Sequence, residues 1–206
     1  MATEVTALGS VSNDAKLDIE LQTPYMVEAK IEGTAAMLFH RWSCEAVEEK
    51  ANAAKGSKSK KTDNIESYMY RDEKGDLAIP SEYLRQAIIH AAKFKQDPRS
   101  PRKSAMDLFK AGIATIGELC SLGVKEPDYL DRRRAVIQKN AITRIRPAML
   151  PGWKCEVSFQ ILLPEYISPQ LMNDTLQYAG RIVGIGDFRP SFGRFQVTGF
   201  KVIELK

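Results

Sequence analysis

The chain has 206 residues, enough for one sizeable domain carrying an insertion and too few for two full domains. Hydrophobic residues make up 44% and charged residues 27%, which excludes a wholly disordered or fibrous chain, and no apolar stretch approaches the length of a membrane span. Lys and Arg total 30 against 26 for Asp and Glu, and the net charge of +4 points towards an anionic partner. Three widely spaced cysteines and two histidines exclude a disulfide scaffold, a Cys-x-x-Cys metal site and a histidine-rich one. They suit a reducing cytoplasm, and no cofactor is indicated.

Residues 1–16 have no hydrophobic period and read as a loose arm, without a secretory signal. Val27, Ala29 and Ile31 alternate with Glu28, Lys30 and Glu32, which sets the first strand, and Gly33 ends it. Ser43 is a candidate N-cap for a short helix through Ala46, Val47 and Ala51. The next stretch, 55–64, holds Lys55, Lys58, Lys60 and Lys61 without an apolar anchor and reads as a mobile basic loop. Residues 68–79 read as a hairpin turning at 72–75. Pro80 and Ser81 open a helix with Ser81 as N-cap and with Leu84, Ala87, Ile88 and Ala91 on one face.

An insertion is expected over about 95–131. It starts with a basic stretch, 95–103, whose two prolines forbid helix. Ser104 and Asp107 resemble a capping box for a helix that places Met106, Phe109, Ile113 and Ile116 on one face. Residues 121–131 then read as a loop, and 135–163 as β-structure. Arg144 and Arg146 point away from Ile145, residues 147–152 make a turn, and Cys155, Val157, Phe159 and Ile161 alternate with polar neighbours. Ser168 and Pro169 give an N-cap with proline at the first helical position. Met172, Leu176, Ala179 and Val183 form that helix's buried stripe, and Gly184 stops it. The last strand carries Phe195, Val197, Phe200 and Val202, with Gly199 shifting the alternation as a bulge would. The expected fold is one α+β domain, a ferredoxin-like or RRM-like antiparallel sheet with helices on one face and a helical and loop insertion.

The richest candidate site is 184–194, GIGDFRPSFGR. Gly184, Gly186 and Gly193 permit close approach of a bulky partner, Arg189 and Arg194 can pair with phosphate, and Phe188 and Phe192 offer stacking platforms for unpaired bases. The alternative is a long ordered turn with its rings in the core. Further cations are Arg41, the 55–61 lysines, Arg99, Arg102 and Lys103, and a run from Arg132 to Arg146 that includes Arg144. Each cluster alone also reads as a solvated face, but their recurrence, with acids gathered in 20–32 and 45–49, argues for a one-sided patch. Catalytic signals are thin: His40 has no identifiable partner, Asp63, Asp107 and Asp187 are isolated, and Cys44 follows no activating pattern.

The stretch 77–88, LAIPSEYLRQAI, resembles the strand-to-helix transition of the RAMP superfamily of repeat-associated CRISPR proteins. Residues 185–197, IGDFRPSFGRFQV, resemble its C-terminal glycine-rich loop and following strand. Within that superfamily the chain is most similar to the backbone subunits of CRISPR effector complexes. It also resembles a group of bacteriophage and prophage proteins at 39–42 (FHRW), 60–64 (KKTDN), 97–103 (DPRSPRK) and 187–190 (DFRP). The resemblance implies a non-enzymatic protein of the bacterial cytoplasm. It would bind single-stranded RNA, or single-stranded DNA, along the palm of its sheet, with copies assembled in series as a homo-oligomer or filament and no membrane partner. Gly184, Gly186, Arg189, Gly193 and Arg194 carry over as glycine-loop positions. Two alternatives stand beside this. One is an endoribonuclease of the same superfamily using His40 as base. The other is a phage interaction protein that mimics a CRISPR subunit.

Overall fold

In the computed structural model residues 4–7, 23–41, 65–137 and 140–205 are described. The helix expected at 43–51, and the basic loop with Lys58, Lys60 and Lys61, lie outside these residues. In chain order the elements are β1 (Glu4–Ala7), β2 (Tyr25–Gly33), β3 (Met37–Leu38), a 3-10 turn (Ile65–Tyr68), β4 (Tyr70–Arg71) and β5 (Leu77–Pro80). Then come α1 (Ser81–Ala92), β6 (Gln96–Asp97), β7 (Ser100–Ser104), α2 (Met106–Gly112), β8 (Ile113–Ile116) and β9 (Leu119–Ser121). The last are β10 (Tyr129–Ile137), β11 (Asn140–Met149), β12 (Lys154–Ile161), α3 (Pro169–Ile182) and β13 (Phe195–Glu204).

The central sheet has the order β1-β13-β2-β12-β8, with every neighbouring pair antiparallel. Four of its strands, all but β1, and two of the helices form a βαββαβ unit, read as β2, α1, β8, β12, α3, β13. The first strand of that unit lies between its last and its third, which is the ferredoxin-like arrangement expected. Period-two alternation explains the layering. Tyr25, Val27, Ala29 and Ile31 of β2, and Cys155, Val157, Phe159 and Ile161 of β12, are buried on one face. Against that face pack Leu84, Ile88 and Ala91 of α1 and Met172, Leu176 and Ala179 of α3. Each large side chain so buried contributes roughly 1.5–3 kcal/mol.

The outer face of the sheet is polar and charge-balanced. Lys30 pairs with Glu156 at 2.8 Å, Lys154 with Glu32 at 3.6 Å and Lys201 with Glu28 at 4.0 Å. The palm that the resemblance assigned to RNA is therefore a mosaic of both signs. The arginine-rich surface lies elsewhere, on a second sheet of order β10-β11-β3.

Several local readings hold. Ser168 caps α3 by accepting from Leu171 N–H at 3.2 Å, with Pro169 at the start of the helix. Gly184 closes the helix by donating to the Ala179 carbonyl at 2.9 Å. The register of β13 against β2 shifts between Val197 and Gly199, where the bulge is expected. The β4–β5 hairpin turns at 72–76, where Asp72 Oδ1 accepts from the backbone of Lys74 and Asp76.

Others are corrected. Ser81 is the first residue of α1, not its cap: it is buried, and its hydroxyl sits 3.2 Å from Cys120 Sγ, while Pro80 precedes the helix without a side-chain cap. No capping box forms at Ser104 and Asp107, since Ala105 occupies the N-cap position without a side-chain bond. The helix expected through Ile116 ends at Gly112, and 113–116 form β8, whose main chain is taken up by β12. The turn expected at 147–152 is shorter, because β11 continues to Met149, where Ala148 and Met149 pair with Leu38 and Met37.

Candidate nucleic-acid interface

Register places the first part of the site. In the β10–β11 hairpin Asp131 is opposite Arg146, and Arg133 is opposite Arg144. Residues two apart on a strand, and residues directly opposite, share a face, so these four side chains project together. Like charges directly opposite are destabilising, and the pair Arg133–Arg144 is relieved by two neighbours. Asp131 Oδ2 accepts from Arg133 Nε at 2.7 Å, and Arg144 Nη1 lies 3.4 Å from His40 Nε2.

The glycine loop, 184–194, supplies the second part. It is fastened to the β3 segment through Asp187 N–H to the Leu38 carbonyl (3.1 Å) and Gly193 N–H to the Ala36 carbonyl (2.8 Å). Gly186 has φ +76°, and a Cβ there would come within 2.6 Å of the Leu38 carbonyl oxygen; Gly193 has φ +72° and would drive a Cβ into the Ile185 carbonyl. Both positions need glycine so that the loop can close on the protein's own backbone. The loop then lays one ring over each of two hairpin arginines: Phe188 lies 4.8 Å from the Arg146 guanidinium and Phe192 lies 4.3 Å from that of Arg133. Phe188 adopts φ +55°, an uncommon left-handed conformation for a bulky residue, and remains 39% exposed.

The third part comes from the segment after β3 and from the 3-10 turn. His40 stacks on Tyr68 with ring centroids 5.5 Å apart, and Arg41 lies over the ring of Tyr70 at 5.2 Å. Tyr70 and Tyr83 bring their hydroxyls to 3.5 Å, their rings edge to face. The fields of Arg189 and Asp187 both act on Tyr83, whose hydroxyl is held well above its ordinary pKa, chiefly by burial. Burial also pushes the His40 imidazole below its ordinary value; Asp187 opposes this, while Arg144 and Arg146 reinforce it.

Arg146 differs from the other arginines in being buried: its side chain is 5% exposed. Its Nε lies 2.7 Å from Asp187 Oδ2, close enough for an ion pair but without hydrogen-bond alignment, and its Nη1 has no partner. Beside this cluster Gly186, Asp187, Phe188 and Arg189 help to line a shallow depression of about 420 Å³.

Of the residues singled out in the sequence, Arg41, Arg144, Arg146, Phe188, Arg189 and Phe192 come together here, on the scaffold of Gly184, Gly186 and Gly193. Arg194 is exposed and lines a different groove of about 570 Å³, with Lys95, Asp174, Gln177, Tyr178 and Arg181. Arg99 is held by Asp97 at 2.7 Å and lies over Tyr166, while Arg102 and Lys103 are exposed on β7. Sequence reasoning passed over Tyr68, Tyr70, Tyr83 and Asp187 as site members. Only the tyrosine spacing around the 72–76 turn carried a signal for the first two; Asp187 became meaningful once Arg146 was placed beside it.

Among the described residues no helix is long and apolar enough to cross a membrane. No family model matches the sequence, and no curated protein matches it. Among solved structures the chain is similar to a chain in the cryo-electron microscopy structure of the type III-B Cmr-beta bound to cognate target RNA. The TM-score is 0.56 at 10% sequence identity, and the match covers 88% of this chain and 61% of that one. This chain therefore spans less than two thirds of its neighbour's length. The likeness is one of fold, and it agrees with the ferredoxin-like α+β arrangement of the central sheet.

Proposed function

We propose that this protein binds a single strand of nucleic acid, RNA before DNA, on the face built from the β10–β11 hairpin, the glycine loop and the His40–Tyr70 neighbourhood. The observation that carries this reading is the alternation of flat rings and guanidinium groups there. Phe188 and Phe192 cover Arg146 and Arg133, and Arg144 and Arg189 stand beside them. Exposed rings accept unpaired bases by stacking, worth about 1–3 kcal/mol per base, and the arginines accept the backbone between them. The glycines shape the loop. Preference for RNA draws support from the fold neighbour, a chain in the structure of a Cmr-beta bound to cognate target RNA.

Binding without cleavage is part of the reading. What supports this is His40, whose Nε2 lies 3.4 Å from Arg144 and whose Nδ1 is buried in the free protein. Copies would assemble side by side along the strand in the cytoplasm, as the RAMP resemblance implies. The test is titration of fluorescent single-stranded RNA and DNA at low and at physiological salt. Affinity is expected to fall steeply with salt, and Arg144→Ala to lower the logarithmic slope by roughly 0.7. No binding to either strand at low salt overturns the reading. Elution of the complex at the size of one copy per strand overturns the serial assembly alone.

A further inference from the structure

The least satisfied side-chain chemistry among the described residues belongs to Arg146, under the Phe188 ring, and to His40. Arg146 Nη1 and His40 Nδ1 are both buried and both lack hydrogen-bond partners. A guanidinium has no acceptor, so for Arg144 Nη1 to donate to His40 Nε2 the ring proton must sit on Nδ1. Both unpaired atoms are then donors. They belong to two side chains that share a single anion, the Asp187 carboxylate, which pairs with Arg146 and acts on the charge of His40.

Asp187 serves this role poorly for a geometric reason. Its Oδ1 accepts from the Phe188 N–H at 3.0 Å, and its backbone N–H is tied to Leu38. The carboxylate is therefore fixed by the loop and offers one remaining oxygen, out of line with Arg146 Nε. A phosphodiester carries the same single charge as a carboxylate but sets its oxygens on a tetrahedral centre and is not tethered to the loop, so it can meet donors that Asp187 leaves unmet.

We propose that Arg146 and His40 form a buried phosphate-accepting site which Asp187 and Phe188 close in the free protein. A phosphodiester of the bound strand takes the place of the Asp187 carboxylate, and the Phe188 ring moves off Arg146. This rests on the single-strand reading above and deepens it, since one contact is held in reserve by the protein's own anion. The Phe188 side chain is the part suited to move: it keeps 39% of the residue's surface in solvent while the loop backbone stays fastened to β3.

The experiment compares the full-length chain with Asp187→Asn, and with Asp187→Asn combined with Arg146→Lys, binding a fluorescent oligouridine at two salt concentrations. Removing the competing anion is expected to tighten binding about tenfold and to steepen the salt dependence by roughly 0.7 of a logarithmic unit. Adding Arg146→Lys is expected to cancel that gain. If Asp187→Asn does not fold, Asp187→Ser replaces it, because the hydroxyl still accepts from the Phe188 N–H. Equal or weaker binding by a folded Asp187 variant overturns the proposal while the single-strand reading survives. Wild-type protein that binds no oligonucleotide overturns the reading itself. Inorganic phosphate that raises the melting temperature of the variant, without a gain in oligouridine affinity, marks a site for free phosphate and overturns the strand's part in it.

Discussion

Two surfaces of this molecule combine cations with aromatic rings, and they differ in what the cations are doing. In the groove beside α3, Lys95 and Arg181 both lie over the ring of Tyr178, at 5.4 Å and 5.0 Å, and Phe94 packs against the same ring. Asp174 shares the groove. At the hairpin and glycine loop, two arginines oppose each other across strands, a third is buried with an unpaired nitrogen, and a phenylalanine holds left-handed backbone above it. At the first surface the cations stay open to water, Arg181 and Arg194 exposed and Lys95 half-buried. The second carries unpaired donors and strained backbone, which is where binding sites concentrate. Counting basic residues would not separate the two; asking which surface buries an unpaired donor does.

The strongest way to break the contrast is to remove the loop. Gly193→Ala drives a Cβ into the Ile185 carbonyl, so the loop must leave its seat on β3, and a stability loss of roughly 2–4 kcal/mol is expected by thermal melting, with strand binding lost. Reversing charge comes next. Arg133→Glu with Arg144→Glu is expected to weaken oligonucleotide binding on the order of a hundredfold at low salt, whereas Lys95→Glu with Arg181→Glu changes it by about twofold or less. Equal losses from both pairs would show that net charge alone drives binding. The smallest effect is on pH. The His40 pKa is depressed in the fold below its ordinary 6.5, so the unfolded chain takes up that proton first. Its contribution to stability is present above about pH 6.5 and is lost as pH falls through that value towards the folded one. His40→Gln is expected to flatten this part of the acid limb in denaturant titrations from pH 7 to 5, with no such change from substitutions in the α3 groove.

What was legible in the sequence was local. Alternation at 27–32 and 155–161 gave two central strands, Ser168 and Pro169 gave the start of α3, and Gly199 gave the bulge. What was missed depends on partners distant in the chain. Ile113 and Ile116 are three apart, a helical spacing, and only pairing with β12 makes them a strand. Pro147 reads as a turn residue, yet it sits within β11, where its carbonyl accepts from Phe39 N–H at 3.0 Å. The site follows the same rule. The common face of Arg144 and Arg146 was visible from strand period, but their placement opposite Arg133 and Asp131 required the hairpin register. Asp187 looked isolated because its cation is 41 residues earlier in the chain.

The position of β2 bears on how the molecule is made. Its two flanking strands come from the far end of the chain, with Ile31 aligned to Cys155 on one side and to Val197 on the other. During synthesis β2 emerges early and waits with both edges bare until β12, and then β13, leave the ribosome. Closing such long loops slows folding, so through that interval the nascent chain carries an unpaired strand with one apolar face.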